Sequence, residues 1–177
     1  MLCSPESGAA NVQTLCYLAT PAPRRSILIA NPYFVPDEVG IDLLVAAAGR
    51  GVLVRVMVSG RRSDNWLARQ NSIRLYGPLL HAGIEILEYN RSMMHHKVMV
   101  VDGQWVTIGT ANFDRRSFSH NEESNLSLFG AGDAQAFTAR FEQDVSACAP
   151  VMLEQWRRRG LRTRLEGALA ALFVDQV

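Results

Sequence analysis

The stretch MMHHKVMVVDGQWVTIGTANFDRRSF, residues 93–118, decides the reading of this chain. Two apolar runs, HKVMVV and QWVTIG, meet at Asp102-Gly103, a dipeptide whose tolerance of positive φ makes it a strong hairpin signal. In a strand, residues i and i+2 face the same way and i+1 faces away, so His95 and Lys97 share a face and His96 points to the other. Lys97 is followed by Val98, Val100 and Val101, and an ammonium among such residues is costly unless an anion meets it. The second run ends at Gly109-Thr110-Ala111-Asn112. An imidazole, an ammonium, a hydroxyl and an amide therefore converge at one strand end, a set suited to a phosphate group.

Upstream of this hairpin the pattern alternates. SILIA (26–30), VLVRVMVSG (52–60) and IEILEY (84–89) read as short strands. Between them lie a helix over 38–49, capped by Asp37 with Val39, Leu43, Ala46 and Ala47 on one face, and a helix from Ser63 or Asp64 to about His81. Downstream, Asn125–Phe129 reads as a further strand. Asp133 is placed to cap a helix that carries Phe137, Phe141 and Val145 on one stripe and ends before Pro150. Strands alternating with helices through short joints, followed by a hairpin, predict an α/β fold: a mixed, mainly parallel sheet flanked by helices on both faces. The segment 1–23 is poorly defined, with helical character over Ser7–Ala19 cut off by Pro21 and Pro23. Residues 24–149 form the expected catalytic domain, and 150–177 a helical tail.

Composition narrows the function. The 177 residues carry 18 basic and 17 acidic side chains, a net charge of +1, so bulk charge nominates no polyanionic partner. Cys3, Cys16 and Cys148 are scattered, with no metal-binding or disulfide spacing. No apolar stretch approaches the ~18–20 residues of a membrane span.

The ordered spacing of the quoted stretch is more specific than any one of its residues. His95-x-Lys97, then Asp102, then Gly109-Thr110-x-Asn112 resembles the phospholipase D superfamily. His95 fits the motif's histidine and His96 its variable slot. Glu123, in NEESN, falls where the superfamily has a carboxylate that orients the histidine. NPYFVPDE (31–38) and LHAGIEILEYNRSMMHHKVMVVDG (80–103) look like the C-terminal half of bacterial cardiolipin synthases. The resemblance implies catalytic roles for His95, Lys97, Asp102 and Glu123 and phosphate binding by Lys97, Thr110 and Asn112. It implies a two-step phosphatidyl transfer through a phosphohistidine, from one phosphatidylglycerol to another, with neither metal nor other cofactor. It further implies two copies of the motif, and this chain has one, since neither His81 nor His120 is followed by x-Lys. A homodimer, a separate upstream half and an inactive truncated half are all consistent with that count. So is a homodimeric nuclease acting on nucleic acid. Whether His95 is nucleophile or general acid stays open.

Several residues outside the motif bear weighing. Tyr33 and Phe34 follow a strand end and read either as a lipid entrance or as packing. Asn65, Trp66, Arg69 and Asn71 read either as headgroup contacts or as a polar helix face, and Arg115 or Arg116 as added positive potential. In the tail, Trp156, Arg157–Arg159, Arg162 and Arg164 accompany Leu161, Leu165, Leu169, Leu172 and Phe173. That is the pattern of a basic amphipathic helix on an anionic membrane, with the tryptophan at the interface, or of a helix packed on the domain. The first reading expects a peripheral protein on the cytoplasmic side of the membrane.

Overall fold

The computed structural model describes residues 2–3, 11–119 and 121–173. Its elements are β1 (Leu2–Cys3), α1 (Asn11–Ala19), β2 (Ser26–Ala30), α2 (Glu38–Gly49), β3 (Leu53–Ser59), α3 (Trp66–His81), β4 (Glu85–Tyr89), β5 (Val98–Val101), β6 (Trp105–Gly109), α4 (Arg115–Ser119), β7 (Glu123–Phe129), α5 (Ala131–Val145), β8 (Cys148–Pro150), α6 (Leu153–Arg157) and α7 (Leu161–Ala171). Among the described residues eight strands form one sheet in the order β1-β7-β6-β5-β2-β3-β4-β8. It is mixed, as predicted. β2, β3 and β4 are parallel neighbours, the other pairings are antiparallel, and five of the eight strands run the same way.

Period-2 alternation sorts the core into two layers. Ile27 and Ile29 of β2 face the side covered by α1, α2 and α3, where they meet Val12, Leu44, Tyr76 and Leu79. Leu28 and Ala30 face the other side and pack with Met57, Val100, Val106 and Phe141 of α5. The hairpin forms where expected, with Asp102 at φ 54° and Gly103 at φ 63°. Asp102 is the described residue other than glycine with positive φ, a conformation that aspartate tolerates better than most side chains.

Four local expectations are corrected. The buried stripe of α2 is Gly40, Leu44 and Ala47, and Val39 is exposed. Tyr17 of α1 approaches so closely that a Cβ at position 40 would lie 2.7 Å from its hydroxyl oxygen, which rotates the helix onto its smallest residue. Asn65 rather than Ser63 or Asp64 caps α3, its Oδ1 accepting from the Ala68 N–H at 3.0 Å. Helix α5 starts two residues before Asp133, whose carboxylate instead sits in the first turn, where the helix dipole favours a negative charge. Strand β7 begins at Glu123 rather than Asn125. One strand escaped the sequence pattern: β8 is three residues long, pairs with β4, and places Pro150 at the sheet edge, where a missing N–H costs no ladder bond.

Beyond β8 the chain is not one continuous helix. α6 and α7 are separated at residues 158–160, and both lie along α3. Trp156 does not face outward. Its ring fills the space over Gly77, and its Nε1–H donates to the Ile73 carbonyl at 2.7 Å.

Candidate active site

The site lies at one end of the sheet's inner strands, where β2 ends, β5 begins, β6 ends and β7 begins. Antiparallel pairing brings these termini together from distant parts of the chain. Lys97, immediately before β5, is only 8% exposed, and its Nζ is 3.2 Å from His95 Nε2. The i, i+2 reasoning therefore holds in the geometry. His95 itself is exposed at these strand ends. His96 points the other way, into an apolar cleft of about 190 Å³ lined by Val98, Val100, Ile108, Phe137 and Phe141.

Burial lowers the pKa of the Lys97 ammonium, and the opposite pull of Glu123, Asp114 and Asp64 does not fully offset that. The lysine is thus a desolvated cation facing three carboxylates, and its attraction for a further anion is screened less than on an open surface.

Thr110 and Glu123 meet across the β6–β7 edge. The threonine hydroxyl donates to Glu123 Oε2 and accepts the Ser124 N–H at 3.0 Å. Asn121 Nδ2 donates to the other carboxylate oxygen at 3.3 Å. No hydrogen bond joins Glu123 to His95 among the described residues, so in the single chain this carboxylate holds Thr110 and faces Lys97 instead of orienting the imidazole. The one proton of Thr110 is likewise already committed, so of the three residues expected to bind phosphate only Lys97 and Asn112 still offer side-chain donors. Asn112 follows on the loop, its Oδ1 buried and without a hydrogen-bond partner.

The structure does not bring Asp102 to this cluster. It lies at the far end of β5, about 16 Å from Lys97 at strand rise. There its carboxylate accepts the backbone N–H groups of Arg24, Arg25 and Ser26 at 3.0, 2.8 and 2.9 Å. Burial would raise its pKa, but the three donors outweigh that and hold it below the usual aspartate range. Asp102 shapes the hairpin and ties it to the start of β2.

Other residues take structural roles. Phe34 is core. Tyr33 donates its hydroxyl to Asp64 at 2.5 Å beside the site. Arg69 pairs with Glu88, and the buried Asn71 donates to the Ala170 carbonyl. Arg116 follows the loop on α4 and is exposed.

Three supporting residues were not singled out in the sequence. Asn31 and Asn125 hold the backbone of Ala111, between Thr110 and Asn112. Asp114 is buried and caps α4 by accepting the Ser117 N–H at 2.7 Å, and burial raises its carboxyl pKa. The signal for Asp114 was present as D-x-x-S, an N-cap pattern. Asn31 and Asn125 had only their place at strand ends. Among the described residues no three of His, Cys, Asp or Glu gather as a metal ion would require.

Residues 20–145 match the family described as cardiolipin synthase, PLD-like domain. The chain belongs to that family. A probable cardiolipin synthase, YwiE of Bacillus subtilis (strain 168), is 37% identical over 163 residues, covering 92% of this chain and 32% of the relative. The cardiolipin synthase of Geobacillus sp. (strain WCH70) is 35% identical over 161 residues, with 91% and 32% covered. The chain thus spans about a third of the length of the curated cardiolipin synthases it matches. Among solved structures, Nuc of Salmonella typhimurium, a phospholipase D family member, shares the fold with TM-score 0.74 and 22% identity, covering 86% of this chain and 97% of Nuc. The phosphatidylserine synthase of Haemophilus influenzae Rd KW20 shares it with TM-score 0.71 and 13% identity, covering 92% of this chain and 42% of that one.

Proposed function

We propose that this PLD-like domain carries one half of a phosphatidyltransferase site that converts two phosphatidylglycerols to cardiolipin and glycerol. The observation that carries the reading is His95 Nε2 within 3.2 Å of the buried Lys97 ammonium, with His95 exposed at the strand ends. Lys97 and the Asn112 amide bind the phosphodiester oxygens, with no metal or other cofactor in the reaction. A second histidine comes from another copy of the motif, on a second chain or on an upstream half.

In the first step one histidine attacks phosphorus, and the P–O bond to glycerol breaks as the other histidine protonates the departing oxygen. In the second, the free hydroxyl of another phosphatidylglycerol gives its proton to that second histidine and attacks phosphorus, expelling the imidazole. Desolvated Lys97 stabilises the charge that builds on the equatorial oxygens in both steps. The substrate is a membrane lipid, so the domain works as a peripheral protein at an anionic bilayer. No helix among the described residues is long and apolar enough to cross one.

The test is turnover of phosphatidylglycerol vesicles by the purified chain, alone and mixed with a separately expressed upstream half, beside His95→Ala. Cardiolipin and glycerol that disappear with His95→Ala support the reading. Cleavage of labelled single-stranded DNA without lipid turnover overturns it.

A further inference from the structure

The tail turns its largest apolar residues away from the protein. Helix α7 meets α3 through small residues, with Gly167 and Ala170 buried and Asn71 Nδ2 donating to the Ala170 carbonyl at 3.0 Å. Leu161, Leu165, Leu169 and Leu172, spaced 4, 4 and 3 apart, form one stripe on the opposite side and are 59–77% exposed. Half-exposed Phe173 extends the stripe. An ordinary surface helix buries such a stripe and exposes its small and polar residues. This one is inverted.

The stripe is flanked by positive charge. Residues 152–173 hold five arginines (157, 158, 159, 162 and 164) against Glu154 and Glu166, which leaves +3. Arg162 and Arg164 border the leucines on either side, and both are exposed. Arg162 pairs with Glu166 at 2.8 Å, but its side chain is 91% exposed and remains free to meet another anion. A leucine ridge between arginines complements an anionic phospholipid surface: the apolar side chains enter the acyl boundary while the guanidiniums meet headgroup phosphates.

The tail also has a direction. Arg157 lies against His81 at the C-terminal end of α3, Trp156 packs on Gly77 and Ile73, and Ala170 reaches Asn71. Helix α7 therefore runs back toward the N-terminus of α3. Half-exposed Trp66 stands there, and Asp64 just before it receives the Tyr33 hydroxyl beside the site. We infer that α7 docks this protein on an anionic phospholipid bilayer through Leu161, Leu165, Leu169 and Leu172, and so brings the His95 end of the sheet to the headgroup layer. The orientation rests on the phospholipid reading of the site; the docking does not.

The experiment is co-sedimentation of the full chain with phosphatidylglycerol vesicles and, separately, phosphatidylcholine vesicles at 100 mM salt. The expected result is binding to the former, at least tenfold weaker binding to the latter, and at least tenfold loss with Leu165→Glu/Leu169→Glu. His95→Ala should bind as wild type does, which separates docking from catalysis. A chain that binds but makes no cardiolipin, either alone or mixed with the upstream half, overturns the proposed reaction and leaves docking standing. Absence of wild-type binding, or unchanged binding by the leucine variant, overturns docking. A leucine variant that binds vesicles normally but falls from a larger assembly to a smaller one in light scattering also overturns it, assigning the ridge to a protein partner. If the leucine variant does not fold, Arg162→Gln and Arg164→Gln decide: each is expected to weaken binding about fivefold at low salt, and no change overturns the proposal.

Discussion

Asn31 and Asn125 grip the peptide backbone of Ala111 from opposite sides: the Asn31 amide donates to its carbonyl and the Asn125 Oδ1 accepts its N–H, each at 3.4 Å. Asn125 is anchored in turn on Thr107, its Nδ2 donating to the hydroxyl at 3.1 Å. The loop that carries Thr110 and Asn112 is thus held by two buried amides belonging to β7 and to the end of β2. Asn125→Ala leaves the Ala111 N–H and the Thr107 hydroxyl short of partners, at a cost of about 1–3 kcal/mol. The expected readout is a Tm lower by roughly 2–12 °C for a chain of this length. Turnover should fall further than this loss of stability explains when assayed well below the lowered Tm.

Gly109 permits the β6–β7 approach beside that loop. A Cβ there would lie 2.2 Å from both Asn125 Oδ1 and the Ser124 carbonyl oxygen, and the second belongs to the backbone and cannot rotate away. Gly109→Ala should therefore cost about 1–3 kcal/mol, as overpacking does. Thermal unfolding measures the cost. A Tm within 1 °C of wild type would contradict it.

Glu123 raises the pKa of Lys97 against the lowering effect of burial. Glu123→Gln keeps an oxygen for Thr110 but removes the charge, so the Lys97 pKa should drop further. The ammonium is then lost at lower pH, and the alkaline limb of the activity profile moves toward neutrality. An alkaline limb that stays in place would show that Lys97 does not govern it.

Asp102 carries the opposite signature. Its folded-state pKa lies below the ordinary value of 3.8, so its stabilisation is present above that value and is lost as pH falls through the folded-state pKa. Asp102→Asn, which tolerates the positive φ, should cost about 1 kcal/mol at pH 7 after solvent screening of this partly exposed carboxylate. The difference from wild type should shrink as pH falls below about 4. Turnover at pH 7 should stay within a few-fold of wild type, because Asp102 is far from His95. A loss on the scale of His95→Ala would return Asp102 to the site.

Most of the strands and the meeting of His95 with Lys97 were legible because each rests on a local rule. Valine-rich runs, the Asp102-Gly103 turn and the i, i+2 alternation needed no tertiary information, and they brought Lys97 to His95. What escaped reading depends on neighbours distant in the chain. The face that α2 buries is set by Tyr17, more than twenty residues upstream. Strand β8 exists because β4 offers it an edge. Glu123 turns to Thr110 because β6 and β7 set them side by side. In the tail, spacing identified the apolar ridge, but only packing on α3 shows that Trp156 faces inward and the leucines outward.

The pairing of β2 with β5 has a kinetic consequence. Ile27 lies opposite Val101, so this ladder joins segments separated in the chain by β3, α3 and β4. Such non-local contacts are slow to make, because loop entropy is spent before they form. Asn31 and Lys97 come together through that same closure. A partly folded chain therefore lacks the juxtaposed Asn31 and Lys97 side chains, and any chemistry that needs both waits for the finished sheet.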